Sequence, residues 1–372
     1  MFLLISIFIP VVFAAIGILT AGASKLGNRE VRLAPRENQP EQIPKPEQRP
    51  RNDVFVANNN PINTAIIDLD SDSFQVRSRA IETLKEHLQK LITDSKFDEL
   101  RGFITRLREL NPNLEVRARA RSIVNPSDLQ NKLNNIPLDK QRDYVNVLAR
   151  TGIISEDVIS ENAAIRARGA ERSSHPALLA FLARDPSISV KHAVAGNRNT
   201  ASATLDTLVQ EQDIVIWFCI ASHSNASRPA ITTALAGLAR EPNNDIREYV
   251  SRHPDATADI LAPLAHRDQA KNVRLNVAGH QNITPAIFTI LLQDPDKDVR
   301  ATAVRNPQIT AALLSTAAGD QDRDVRLAVT FHRNTTDATL TNLLQDQEAD
   351  VRFHAQNSLD LRRLERENRG NN

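Results

Sequence analysis

Asp298-Val299-Arg300-Ala301-Thr302-Ala303-Val304-Arg305-Asn306-Pro307 is one instance of a phrase that runs through the second half of the chain. Its head returns as Asp324-Val325-Arg326 and Asp350-Val351-Arg352, and earlier as Asp245-Ile246-Arg247 and Asn272-Val273-Arg274. The valines at 273, 299, 325 and 351 fall 26 residues apart. A fixed period of about 20–50 residues marks an array in which small equivalent units stack in one dimension. The expected fold class is all-α, an α-solenoid.

Each unit divides into two short helices. Asp298 stands where an N-cap is expected, its carboxylate able to accept from the unpaired amides of the first turn. Ala301, Ala303 and Val304 give that helix its apolar stretch. Asn306 is expected to close it in the left-handed conformation, and Pro307 cannot continue it. A second helix carries Leu313, Leu314, Ala317 and Ala318 at helical spacing and ends near Gly319. The same slots recur as Ile287, Phe288, Leu291 and Leu292 after His280, and as Leu340, Leu343 and Leu344 after His332. Neither helix can bury its apolar face alone, so the units must stack.

Segments such as Val273-Arg274-Leu275-Asn276-Val277-Ala278-Gly279-His280 and Thr284-Pro285-Ala286-Ile287-Phe288-Thr289-Ile290-Leu291-Leu292-Gln293-Asp294 resemble the bacterial leucine-rich repeat variant family. The likeness covers about residues 164–358. It implies a superhelix of paired short helices, a 3₁₀-helix being allowed as one member of a pair. The family's iron–sulfur-bearing member uses a separate Cys cluster. This chain has one cysteine, Cys219, so that cofactor does not carry over.

An earlier pair of phrases, ending in Val76-Arg77 and Val116-Arg117, lies 40 residues apart. With the stripe Phe97, Leu100, Phe103, Ile104, Leu107 and Leu110 between them, they are similar to HEAT-type repeats, whose period is about 40 residues. Residues 64–163 are therefore read as HEAT-like helices plus a connector, broken at Pro126 and Pro137. Residues 164–358 carry the 26-residue units, and 359–372 a charged cap and tail. One unit is irregular. Trp217 stands where the others have a cation, inside an apolar run over 214–221, and the interval from Ile216 to Ile246 is 30. Four extra residues make about one helical turn, or else a longer turn over 223–229. The run reads as a deeply buried central repeat, with a bend or an opening to a ligand as the alternatives.

Residues 2–19 are almost wholly apolar and the uncharged run reaches Ser24, enough for a helix spanning a bilayer, which takes about 20 residues. A retained anchor within residues 1–24 is expected, with residues 2–23 in the membrane. The alternative is a signal peptide cleaved near Ala23 and an exported body. Lys25, Arg29, Arg32 and Arg36 follow the run and none precedes it, which favours the anchor with the body in the cytoplasm. Residues 25–63 hold Pro35, Pro40, Pro44, Pro46, Pro50 and Pro61 among polar residues and read as an extended spacer.

Net charge is +1, which gives no global attraction to nucleic acid or membrane, and one cysteine permits no internal disulfide. Arg247, Arg274, Arg300, Arg326 and Arg352 could suggest a phosphate-binding row. Each has acidic neighbours, and an acid usually stands five residues before the Val or Ile slot, so a structural ladder between stacked units is expected instead. His223, His253, His280 and His332 share a turn slot with Asn197 and Asn306. Helix layers stack about 8–10 Å apart, too far for neighbouring slots to share an ion. No metal, cofactor or catalytic residue is expected. Arginines 101–121 cluster, but Glu109 and Glu115 interleave and aromatics for base stacking are few.

The second helices, over 284–293, 310–319 and 338–345, are almost uncharged. Apolar positions fall eight, eleven and twelve residues after the Asn/His slot. Positions nine and thirteen share the opposite face. They are Asp206 and Gln210, Thr289 and Gln293, Ser315, then Thr341 and Gln345. This strip is the candidate site, expected to face the concave surface. The function expected is a non-catalytic, membrane-tethered scaffold that binds a protein or peptide partner. A prosthetic-group lyase of HEAT type and a nucleic-acid-binding array are the alternatives.

Overall fold

Asn60 opens the first helix of the computed structural model, which describes residues 60–109 and 114–370. Its Oδ1 accepts from the Ile62 amide at 3.0 Å, and Pro61 takes the first helical position, where no N–H is needed. The helix Pro61–Asp68 thus begins inside the segment read as spacer. The anchor-or-signal segment and the rest of the spacer lie outside the described residues. Among the described residues no helix is long and apolar enough to cross a membrane, and there is no strand.

Long helices come first: Phe74–Thr93, Phe97–Glu109 and Leu114–Ile123. Their stripes meet in a core that includes Leu84, Leu100, Ile104 and Leu107, each almost fully buried. Pro126 is the first residue of the helix Pro126–Lys132, and Pro137 stands in the break after Leu133–Asn135 as the non-helical N-cap of Leu138–Arg150.

From Ala163 the units follow the short period. First helices such as Lys271–Gly279, Lys297–Arg305 and Arg323–Phe331 pack on one another in sequence order. Val273, Val299, Val325 and Val351 are fully buried between them. Second helices such as Pro285–Leu291, Ala311–Ala317 and Asp337–Leu343 form the other row, all α-helical; within 164–358 the one 3₁₀-helix is Val209–Glu211. The last first helix, Ala349–Gly370, runs on without a break, so the boundary expected at 358 falls inside one helix.

Two local expectations are corrected. Asp298 is not the N-cap. Asp296 is, its side chain accepting from the Asp298 amide at 2.8 Å, while Asp298 lies in the first turn and takes the Lys271 ammonium at 2.6 Å. Asn306 is not left-handed either, with φ −67° and ψ 125°. Its amide is used across units instead, donating to the carbonyls of Ala278 and His280 at 2.8 and 3.1 Å.

At the irregular unit the extra residues enter the second helix. Arg228–Leu238 has 11 residues where Pro285–Leu291 has 7. The first helix there, Ile214–Ala221, packs mainly on Arg228–Leu238 and does not stack closely on Asn244–Arg252. Large rings fill the wider gap: Phe218 and Tyr249 stack with centroids 4.5 Å apart. The run 214–221 is consequently not deeply buried. Ile216, Ile220 and Ala221 are buried, whereas Trp217, Phe218 and Cys219 are partly buried, packed against the core at its edge.

Candidate ligand-binding face

The repeated arginines bridge units. Arg274 forks onto Asp294, Arg300 onto Asp320 and Arg326 onto Asp346, with Nε–Oδ2 distances of 2.6, 2.7 and 2.7 Å. Each remaining Nη1 donates to the carbonyl six residues back, which for Arg300 is Asp294 at 2.8 Å. An aspartate therefore holds one arginine with its carboxylate and the next with its carbonyl, and the chain of bonds runs on from unit to unit. Arg247 joins it through Asp268, and Arg352 ends it on the Asp346 carbonyl at 2.6 Å. The bond to Asp320 raises the Arg300 pKa, and the bond to Arg326 holds Asp346 below the usual carboxylate range. Arg166 and Lys191 make the same rung with Asp185 and Glu211, both at 2.7 Å. Cations committed in this way are not free for phosphates.

A second polar chain occupies the Asn/His slot. His280 and His332 reach back to the carbonyls of His253 and Asn306 through Nε2, at 3.0 and 3.2 Å. Their Nδ1 atoms accept the amides two residues on, at 3.0 and 3.1 Å. A ring that accepts at Nδ1 and faces a carbonyl at Nε2 carries its proton on Nε2. Burial holds His332 below the usual imidazole pKa. These histidines are turn fasteners, and among the described residues no group of three or more His, Cys, Asp or Glu could hold a metal.

The predicted strip lies where its spacing places it with respect to solvent. Asp206, Gln210, Thr289, Gln293, Ser315, Thr341 and Gln345 are all exposed. Positions eight and eleven, such as Phe288 and Leu291 or Leu340 and Leu343, are buried, while position twelve, Leu292 or Leu344, is only partly covered. Thr289 and Thr341 turn their hydroxyls back onto the carbonyls of Pro285 and Asp337, at 3.0 and 2.7 Å. Asp206, the one charged member, accepts from the Ser227 hydroxyl at 2.5 Å.

One residue of the strip, Gln210, also borders a feature that spacing does not disclose. A groove of about 770 Å³ opens beside the irregular unit, lined by Trp217, Gln212, Thr232, Gly237, Arg228 and Arg240 among others. Trp217 fills the ladder slot and donates through Nε1 to the Val209 carbonyl at 3.0 Å. The ring lies so close to Gly237 that a Cβ there would stand 2.5 Å from Cζ3. Gln212 is left-handed at φ 51°, a conformation uncommon outside glycine. The legible signals were Trp217 in a cation slot and the longer interval; Gly237 and Arg240 carried no signal of their own.

Other chemistry is weak here. Burial pushes the Cys219 thiol up to about 11, so at neutral pH it is not a thiolate nucleophile. His192 bonds Asp213 at 2.8 Å, but Asp213 is also the N-cap of Ile214–Ala221. In the arginine cluster, Arg108 and Arg119 are bound to the carbonyls of Thr151 and Leu69, at 2.5 and 2.8 Å. No family model matches the chain, and no curated protein matches it significantly, so its face is read from its own geometry.

Proposed function

We propose that the chain is a non-catalytic α-solenoid, of leucine-rich repeat variant type with HEAT-like repeats ahead of it, that binds a protein or peptide partner along its second-helix face. In this reading residues 2–23 hold it to a membrane and 25–59 space the body from it. The observation that carries the proposal is the division of labour between the two rows. The first-helix row commits its repeat-slot arginines to the ladder, whereas the second-helix row leaves exposed Thr, Ser and Gln side chains on unit after unit. Such a row suits an extended chain, whose backbone both donates and accepts, better than it suits phosphates.

Replacing Thr289, Ser315 and Thr341 together by Arg tests it. Surface changes of this kind move stability by under about 0.5 kcal/mol, so the melting temperature should hold while the partner recovered from a detergent extract is lost. A variant that keeps both its melting temperature and its partner removes this face from the account.

A further inference from the structure

We propose that the groove at Trp217 is a recognition site for an acidic peptide segment carrying a bulky apolar side chain; this rests on the scaffold reading above and assigns that scaffold a specific pocket.

The unit sets aside its ladder to build the groove. Every other repeat slot from Arg166 to Arg352 holds Arg or Lys, and each one before Arg352 meets an acid of the following unit, at distances such as 2.7 Å for Lys191–Glu211 and 2.6 Å for Arg274–Asp294. With Trp217 in the slot, the corresponding acid, Glu241, has no ion pair among the described residues. A local rule broken without local compensation is where function is expected. Three further features fit a partly exposed indole. Gly237 leaves the ring room that a Cβ would take, at 2.5 Å. The bond from Nε1 to Val209 at 3.0 Å fixes the ring plane. The first helices part here, with Phe218 and Tyr249 bridging them.

Charge selects the occupant. Arg228 and Arg240 both line the groove, and no acid does. Arg228 is 89% exposed and only 4.0 Å from Asp255 at its nearest, while Arg240 has no ion pair among the described residues. One unpaired guanidinium and one held only by a long, exposed contact, beside an apolar floor, attract carboxylates flanking an apolar side chain, which would lie on the indole. Gln210, Gln212 and Thr232 stand around it with side chains able to meet a peptide backbone. A single strand of nucleic acid also stacks on Trp and pairs with Arg, but it needs a cationic track. The strip positions of the second helices on either side, Asp206 and Gln210 before it and Ala262 and His266 after it, include no lysine or arginine.

The chain has one tryptophan, so its own fluorescence reports on the groove. The full chain is titrated with capped peptides that each join one Leu or Phe to several Asp or Glu, with the same peptides carrying Lys for each acid, and with oligothymidylate. The expected result is a saturable change in emission with at least one acidic peptide below about 1 mM, none with the Lys series, and binding at least about tenfold weaker in Arg240→Glu. Silence from the whole acidic set, indifference to Arg240→Glu with Arg228→Glu, or tighter binding of oligothymidylate overturns the proposal. If the groove is silent while the triple Arg variant still loses its partner, the scaffold reading stands and the groove assignment alone falls.

Discussion

Arg300 and Asp320 meet fork to fork, Nε on Oδ2 at 2.7 Å and Nη2 on Oδ1 at 3.0 Å, with only 5% and 8% of their side chains exposed. Three residues earlier in sequence, Lys297 reaches Asp324 at 3.0 Å with both partners about half exposed. Burial separates their effects. Removing one partner of a buried pair leaves a charge unsatisfied and costs about 3–5 kcal/mol, so Arg300→Ala should lower the denaturation midpoint markedly. Lys297→Ala breaks an exposed pair, worth about 0–1 kcal/mol, and should barely move it. Equal losses in urea melts would mean the ladder does not carry the load assigned to it.

Stability should fall on mild acidification. Burial lowers the His332 pKa, so its contribution is fully present above the unfolded value of about 6.5 and is lost as pH falls through the folded value. His87 and His175 are lowered for the same leading reason and act in the same direction. Asp346, held down by its bond to Arg326, adds a second loss below the usual carboxylate range. Asn306 makes the same kind of backward bond as His332 with no titrating group. His332→Asn should therefore fold normally and show a shallower melting-temperature slope between about pH 7 and pH 5. An unchanged slope would remove His332 from this role.

Gly237→Ala tests the fit of the indole. The new methyl meets a rigid ring held at Nε1, so overpacking should cost about 1–3 kcal/mol and shift the Trp217 emission. Gly279→Ala is the control, because its nearest neighbour would be Thr302 at 4.0 Å. A silent Gly237→Ala would mean that Trp217 moves freely.

What could be read from the residues alone follows from which interactions are periodic. Val273, Val299, Val325 and Val351 repeat, and so do the acids five residues before them; that periodicity already implied helix pairs and cross-unit charge contacts. Helix ends were less legible. Asp296 and Asp298 are both plausible caps by type, and only the geometry of the turn puts Asp296 in that position. Asn306 carries a side chain suited to a left-handed turn, yet the carbonyls of the unit before it claim its amide. The groove was the hardest to foresee. It depends on Gly237, Arg240 and Trp217 converging from separated positions, and a search for periodicity passes over a site made by breaking the period.

The most direct measurement for the central claim is a crosslinking map in intact cells. A photoreactive amino acid is placed singly at Thr289, Ser315 and Thr341 on the second helices, and at Lys297 and Arg323 on the first helices. All five are exposed, so each should be tolerated. The account predicts one and the same protein attached from the three second-helix positions and none from the two first-helix positions. Attachment from Lys297 and Arg323 alone, or from no position at all, would contradict it.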